Sequence, residues 1–479
     1  MIRKTHKKKD IYILATLLLL NFILKIAYLD SGCISGDEPF TIFYAQQDLT
    51  DMLSLFKNEN NPPLHFILLH FWIKLFGISP FSTRFLSLLF SSATVLFIYK
   101  LAKNSFNIRV AFIASLIFTF SNYHIFFSHE TRVYPLFALL TTVSMYSFLS
   151  LIKDKKNKRY FFLLATSNIL LIYSHFFGFF VLAIQGLSIL SIKDLRTNIL
   201  KEYLLVILIT ILFYVPYLKI FLTRFASSSG GTWVSPPSFE SLYHILWQFS
   251  NAPVNTVIFL LILVTALVFA LFTKIRNIDY NPSNSKIVLI WFIFPYLFIF
   301  SISFLMPMFL DRYLIFISIG YYLILAIAID YLCSSKWVFY SLSIIIIGMM
   351  IFTCDIKSGH DRNLKEVVNS IKQSKDVNTA VYLCPSWISH GFAYHYNIEY
   401  FKDYKQLNAK LNSENIFPIY NAQEINDSLL IKKSNIIYLD CWSELIDPKG
   451  LILKKFKAKF EIVDVDDSFK GTIKYDFSK

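Results

Sequence analysis

Glycine is scarce, at 13 of 479 residues. The chain has no Gly-rich phosphate loop, no internal repeat and no low-complexity tract. With the apolar balance of the chain, this excludes intrinsic disorder, collagen-like repeats and disulfide scaffolds. Cysteine is equally sparse. Its five copies (Cys33, Cys333, Cys354, Cys384, Cys441) show no CxxC spacing, so no thiolate metal site is expected. Cys384 and Cys441 fall in one segment; a disulfide between them and two buried free thiols are both open readings. Charged residues make up only 16%, against about 25% in soluble domains, which argues against a wholly soluble enzyme.

What fills the chain instead is apolar. Hydrophobic residues reach 55%, with 49 Phe and 28 Tyr. Long apolar runs begin at Ile11, Phe81, Val110, Val133, Tyr160, Phe176, Glu202, Val254, Ile287, Tyr313 and Trp337. Each is long enough to cross a hydrocarbon layer of about 30 Å, and in lipid each backbone must be helical. The spacing predicts eleven transmembrane helices over 1–353. A twelfth stretch, Leu64–Ile78, is read as an interfacial helix, because a crossing there would invert every later loop. The first run lacks a small-residue cleavage site and is read as a span rather than a signal peptide.

The net charge of +14 lies almost wholly in the apolar part, where 28 Lys/Arg face 15 Asp/Glu. Twenty of those basic residues sit in the N-terminus and in alternate loops: Lys100–Arg109, Lys153–Arg159, Lys193–Lys201, Lys274–Lys286 and Lys336. This is the pattern of membrane orientation, not of a nucleic-acid footprint. It predicts a cytoplasmic N-terminus, while the richness in Lys, Ile, Asn and Phe suggests an AT-rich bacterial genome and hence a bacterial inner membrane. Residues 354–479 then lie outside, as a small α/β domain. Helix is expected over Leu364–Ile371, strands over Ala380–Cys384 and Asn435–Asp440, and β-like character over Leu451–Val465 and Thr472–Phe477.

On that topology the polar chemistry gathers on the outer face. Gly36-Asp37-Glu38-Pro39 puts two carboxylates just beyond the first span. Carboxylates there are costly unless hydrated, paired or working. One could accept a proton from a hydroxyl nucleophile, or both could serve a helix N-terminus. Asn60-Asn61-Pro62-Pro63-Leu64-His65 starts a helix, with His65 and His70 on one stripe. His129-Glu130-Thr131-Arg132-Val133-Tyr134 offers a carboxylate, a guanidinium and a phenol in one turn, suited to phosphate or to a local ion pair. His175 ends a tight hairpin, and Asp311-Arg312-Tyr313 forms the last short outer turn. A longer outer loop carries Gly230, Gly231 and Trp233.

This ordered series resembles the GT-C glycosyltransferases, specifically bacterial relatives of the dolichyl-phosphate-mannose protein mannosyltransferases and of lipid A aminoarabinose transferase. The matching elements are Asp37-Glu38, Pro62-Pro63-Leu64, the Phe-Gly-x-Ser-x-Phe-Ser-x-Arg run from Phe76 to Arg84, and Glu130-x-Arg132-x-Tyr134. Tyr173 to Phe177 and Arg312-Tyr313 complete it. The resemblance implies a GT-C membrane enzyme that transfers a sugar from a polyprenyl-phosphate donor to an extracytoplasmic acceptor, a cell-envelope glycan, lipid or protein. It implies Asp37 as general base with Glu38 assisting. Arg132, His175, Arg312 and Tyr313 would hold the donor phosphate, and Glu130, Tyr134, Asn61 and His65 would line the cavity. Asp37 and Glu130 are candidate ligands for a divalent cation. The competing classes are a transporter or flippase and a polymerase of polyprenyl-linked glycans. A transporter would place ionisable residues near mid-span and show repeated halves, whereas here Lys25 is nearly alone inside a span.

Overall fold

The computed structural model describes residues 2–56, 59, 61–228, 234–272, 281–333, 335–357 and 363–479. Asn60, Gly230, Gly231 and Trp233 fall outside the described residues. The contacts divide the chain into two compact units. The first comprises Met1–Leu29, Leu53–His65 and Arg84–Ser358; the second comprises Asp30–Met52, Phe66–Thr83 and Gly359–Lys479. The hydropathy boundary at residue 353 differs from this partition at two inserts, 30–52 and 66–83, and by the five residues 354–358 that stay with the first unit.

The first unit is helical, and a helix stands at each of the eleven apolar runs. Among the described residues, six helices are long and apolar enough to cross a membrane, and a bent pair makes a seventh. That pair, Ile108–Thr119 and Asn122–Ser128, turns by 60°. Ser121 causes the break: it leaves the helical region and accepts the His124 N–H, starting a new helix. The longest helix, Lys193–Ser228, has Pro216 inside it. Proline weakens the ladder there, and the Tyr173 hydroxyl donates to the neighbouring Phe213 carbonyl at 2.9 Å. Three helices are joined by a closed polar triangle. Ser144 donates to Asn168 at 2.6 Å, Asn168 to Gln185 at 3.1 Å, and Gln185 back to Ser144 at 2.7 Å.

The second unit is an α/β domain. Its strands are β1 (Thr379–Cys384), β2 (Ile416–Pro418), β3 (Asn435–Asp440), β4 (Glu461–Asp466) and β5 (Ile473–Ser478). They lie in the order β2-β1-β3-β5-β4. β1 runs parallel to β2 and β3, while β5 is antiparallel to both β3 and β4. Alternate residues of β1 and β3 feed two cores, as the strand period of two requires. Val381, Leu383, Ile437 and Leu439 enter one core; Ala380, Tyr382, Cys384, Ile436 and Tyr438 enter the other. The helix Leu364–Ser374 buries Leu364, Val367, Val368 and Ile371, one face of a 3.6-residue repeat.

The 30–52 insert belongs here because Ile34, Ile42 and Phe43 are buried in the same core as Leu364 and Phe392. The helix Leu64–Phe76 has 13 residues, about 20 Å at 1.5 Å per residue, too short for a hydrocarbon layer of about 30 Å. One strand expectation is corrected. Leu451–Lys457 is a helix, with Ile452 and Phe456 buried four residues apart and three lysines in its last turn. The Asp447 carboxylate accepts the Leu451 and Ile452 N–H groups at its start. Of the two cysteine readings, the free thiols are correct: Cys384 and Cys441 are both buried and unbonded.

Candidate functional site

The acidic pair sits in a turn of the second unit. Gly36 has φ +61, a conformation that glycine adopts without strain. The Glu38 N–H closes the turn on the Ser35 carbonyl at 3.2 Å. A short helix, Glu38–Ala45, follows, with Pro39 in its first turn where its missing N–H costs nothing. Asp37 occupies the N-cap position, yet its side chain makes no capping hydrogen bond. Its carbonyl instead accepts the N–H and hydroxyl of Thr41, at 3.2 and 3.0 Å. The Asp37 residue is exposed, whereas Glu38 is buried. The helix-cap reading of Asp37 is therefore not what its carboxylate does.

The basic residues gather in the first unit. The bent helix ends at His129, whose Nε2 donates to the Lys25 carbonyl at 2.7 Å and ties this turn to the first helix. Arg132 follows, its N–H on the Glu130 carbonyl at 2.9 Å and its guanidinium 5.9 Å from the Tyr134 ring. Tyr134 lies 6.4 Å from the His175 ring, and Phe137 stacks on that ring at 4.7 Å. His175 also meets Tyr313 at 5.6 Å, beside which the Arg312 guanidinium sits at 5.8 Å. The Tyr123 hydroxyl donates to the Asp311 carbonyl at 2.6 Å, so the helix leading into the Arg132 turn also anchors the Arg312 turn.

Charge follows geometry. Burial pushes His175 down to about 3, helped by the positive fields of both Arg132 and Arg312. Burial, and then Arg132, pushes His65 down to about 3 as well. Both rings are thus neutral at physiological pH. The Phe177 N–H donates to Nδ1 of His175 at 3.1 Å, which leaves the ring proton on Nε2. The cluster offers two permanent cations and a neutral N–H donor, a set matched to an oxyanion such as phosphate. Asn61 lies in the same unit and donates to Glu59 at 2.9 Å.

Residues 60–219 match the family model for dolichyl-phosphate-mannose-protein mannosyltransferase. No curated protein matches the sequence. Among solved structures, ArnT from Cupriavidus metallidurans bound to undecaprenyl phosphate superposes with a TM-score of 0.63 at 11% identity, over 96% of this chain and 97% of that one. Its apo form gives 0.63 at 13%, over 98% of both chains. The oligosaccharyltransferase AglB from Archaeoglobus fulgidus, with an inhibitory peptide and a dolichol-phosphate, gives 0.53 at 10%, over 98% of this chain and 74% of that one. The chain shares the fold of the ArnT structures.

Within this fold, six of the residues singled out in the sequence lie in one neighbourhood of the first unit: His65, Arg132, Tyr134, His175, Arg312 and Tyr313. Asp37 and Glu38 belong to the second unit. Among the described residues, no three His, Cys, Asp or Glu side chains gather to hold a metal ion. Among those residues, a cation shared by Asp37 and Glu130 would lack a third protein ligand from that set. Arg84, at the end of the Phe76–Arg84 run, is fully buried and donates to the Leu29 carbonyl at 3.1 Å, an anchoring role. Three contributors escaped the sequence reading: Phe137, Tyr123 and His129. Two are aromatics among 77 Phe and Tyr, and nothing local distinguishes a stacking partner from a lipid-facing ring. His129 stood inside a quoted motif, but its partner is a backbone carbonyl 104 residues away.

Proposed function

We propose that this protein is an inverting glycosyltransferase that moves a sugar from a polyprenyl-phosphate donor to an acceptor outside the cytoplasm. The observation that carries the reading is that His175 lies beside both Tyr134 and Tyr313, the rings flanked by the Arg132 and Arg312 guanidinium groups. The solved ArnT and AglB complexes, which hold undecaprenyl phosphate and a dolichol-phosphate, support a lipid phosphate as its ligand.

In this reading Asp37 takes the proton of the acceptor hydroxyl as that oxygen attacks the anomeric carbon. The bond from that carbon to the phosphate oxygen breaks, and its electron pair leaves with the polyprenyl phosphate. Inversion follows from a single in-line displacement. Arg132, Arg312 and the Nε2–H of His175 stabilise the charge gathering on the leaving phosphate, and Tyr313 orients Arg312. Glu38 assists Asp37; Glu130, Tyr134, Asn61 and His65 shape the cavity. The membrane part, 1–353, crosses the bilayer eleven times from a cytoplasmic N-terminus in a bacterial inner membrane, and 354–479 lie outside.

The test is transfer by purified protein from a polyprenyl-phosphate sugar, with Asp37→Asn alongside. Asp37→Asn abolishes transfer while expression and topology survive. Full transfer by that variant removes the proposed base. Envelope glycans and lipids compared by mass spectrometry with and without the gene identify the acceptor. Cysteine labelling from either side of the membrane checks the orientation.

A further inference from the structure

The turn that carries Asp37 is held by residues more than 350 positions away. Nε2 of His395 lies 2.7 Å from the Ile34 carbonyl, two residues before Gly36. A carbonyl only accepts, so Nε2 carries the hydrogen. One residue later the chain enters the turn closed by Ser35 and Glu38. The His395 bond therefore fixes the upstream end of the Asp37 turn, and the two Thr41 bonds to the Asp37 carbonyl fix the downstream end.

The helix that bears His395, Ser389–Tyr396, is shaped to receive this turn. A Cβ on Gly391 would meet Leu364 at 2.7 Å and the Pro39 ring at 3.3 Å, so the small residue admits Pro39, two positions from Asp37. His390 packs against Phe43 at 4.3 Å, with Tyr44 at 5.7 Å and Phe40 at 6.1 Å. At the far end of the Glu38–Ala45 helix, Gln46 donates to the Phe401 carbonyl at 2.6 Å, and Nδ1 of His70 lies 2.9 Å from the Ala45 carbonyl. The acidic helix is docked along its whole length onto the C-terminal segment.

We infer that His395 is a positioning residue for the carboxylate of Asp37, and that the C-terminal α/β segment orients that carboxylate. The inference rests on the function proposed above for Asp37. A general base must be held to within a fraction of an ångström of the proton it takes. An exposed turn on glycine has no such rigidity of its own. The groups facing His395 are Glu38 on the docked helix and Lys365 and Lys372 on the helix Leu364–Ser374; burial and both lysines lower its proton affinity, while Glu38 and the Ile34 bond raise it.

The experiment compares His395→Ala and His395→Gln in the full-length purified protein, reading hydrogen exchange and steady-state transfer together. Glutamine keeps an N–H donor of similar reach. In His395→Ala the amides of residues 35–41 exchange about tenfold faster, as loss of one anchoring hydrogen bond allows, while protection of β1 and β3 is unchanged. kcat falls about 10- to 100-fold, with KM for the lipid donor unmoved. His395→Gln restores both. Unchanged exchange over 35–41, or faster exchange with kcat intact, overturns the inference. A wild-type protein that transfers no sugar refutes the functional reading instead, and the exchange data still decide whether His395 holds the turn.

Discussion

The imidazole of His175 lies nearly flat on the ring of Phe137, with centroids 4.7 Å apart and 20° between the planes. Burial and the two arginine fields disfavour its protonation, and it stays neutral down to about pH 3. His65 behaves alike, and burial holds His390 down to about 4. In the unfolded chain these rings titrate near 6.5. Between about pH 6.5 and 3 the unfolded state therefore binds more protons, and stability falls as pH falls through that window. Thermal unfolding in detergent at pH 7.5, 6 and 5 should show a Tm that declines toward acid. His175→Gln should flatten that decline.

Arg132 acts on two histidines at once. Arg132→Ala should raise the proton affinity of both His65 and His175, since its field lowers each. Nitrogen-15 spectra of labelled histidine report that shift directly. The same variant should lower kcat/KM by about 10- to 150-fold, the worth of a charged hydrogen bond of about 1.5–3 kcal/mol. Arg132→Lys should recover little, because a point charge does not reproduce a planar fork of donors.

The Ser144–Asn168–Gln185 triangle is fully buried, and each member uses the other two. Asn168→Leu removes an acceptor from Ser144 and a donor from Gln185. The variant should lose about 1–2 kcal/mol, the range for buried polar groups left without partners among membrane helices. A thermal shift in detergent measures it. Double substitution of Asn168 and Gln185 should cost less than the sum of the two single changes.

Cys384 and Cys441 are adjacent in the sheet region, with the Cys441 N–H on the Cys384 carbonyl at 2.8 Å, yet both are free thiols. Burial pushes the Cys384 thiol up to about 12 and raises that of Cys441 as well, so neither forms thiolate at neutral pH. Maleimide should label neither in the folded protein and both after denaturation. Intact mass should not change on reduction.

Much of the architecture was legible in order along the chain. Apolar length locates a helix at each of eleven runs, because a backbone in lipid has only one way to satisfy its amides, although among the described residues only six, with a bent pair as a seventh, are long and apolar enough to cross a membrane. The strand expected at Asn435–Asp440 matches β3, since a run of β-branched and aromatic residues between polar ends has a local signature. Leu451–Lys457 was misread because Ile452 and Phe456 suit either period, and the Asp447 cap that selects helix lies outside the run. The ordered motifs also pointed to Arg132, His175 and Arg312 before their proximity was known.

Sequence by itself determined which segments are apolar, where charge accumulates, and which polar residues are too costly to be accidental. These are properties of single residues and near neighbours, and they survive in a one-dimensional reading. Only the tertiary structure decided that two arginine turns 180 residues apart both bring a tyrosine ring against His175. It also decided that the turn bearing Asp37 is clasped by His395 and packed beneath Gly391. A hydrogen bond to a backbone carbonyl leaves no trace in the identity of the residue that accepts it. A contact spanning hundreds of residues is chosen by the packing of whole units, not by any local pattern.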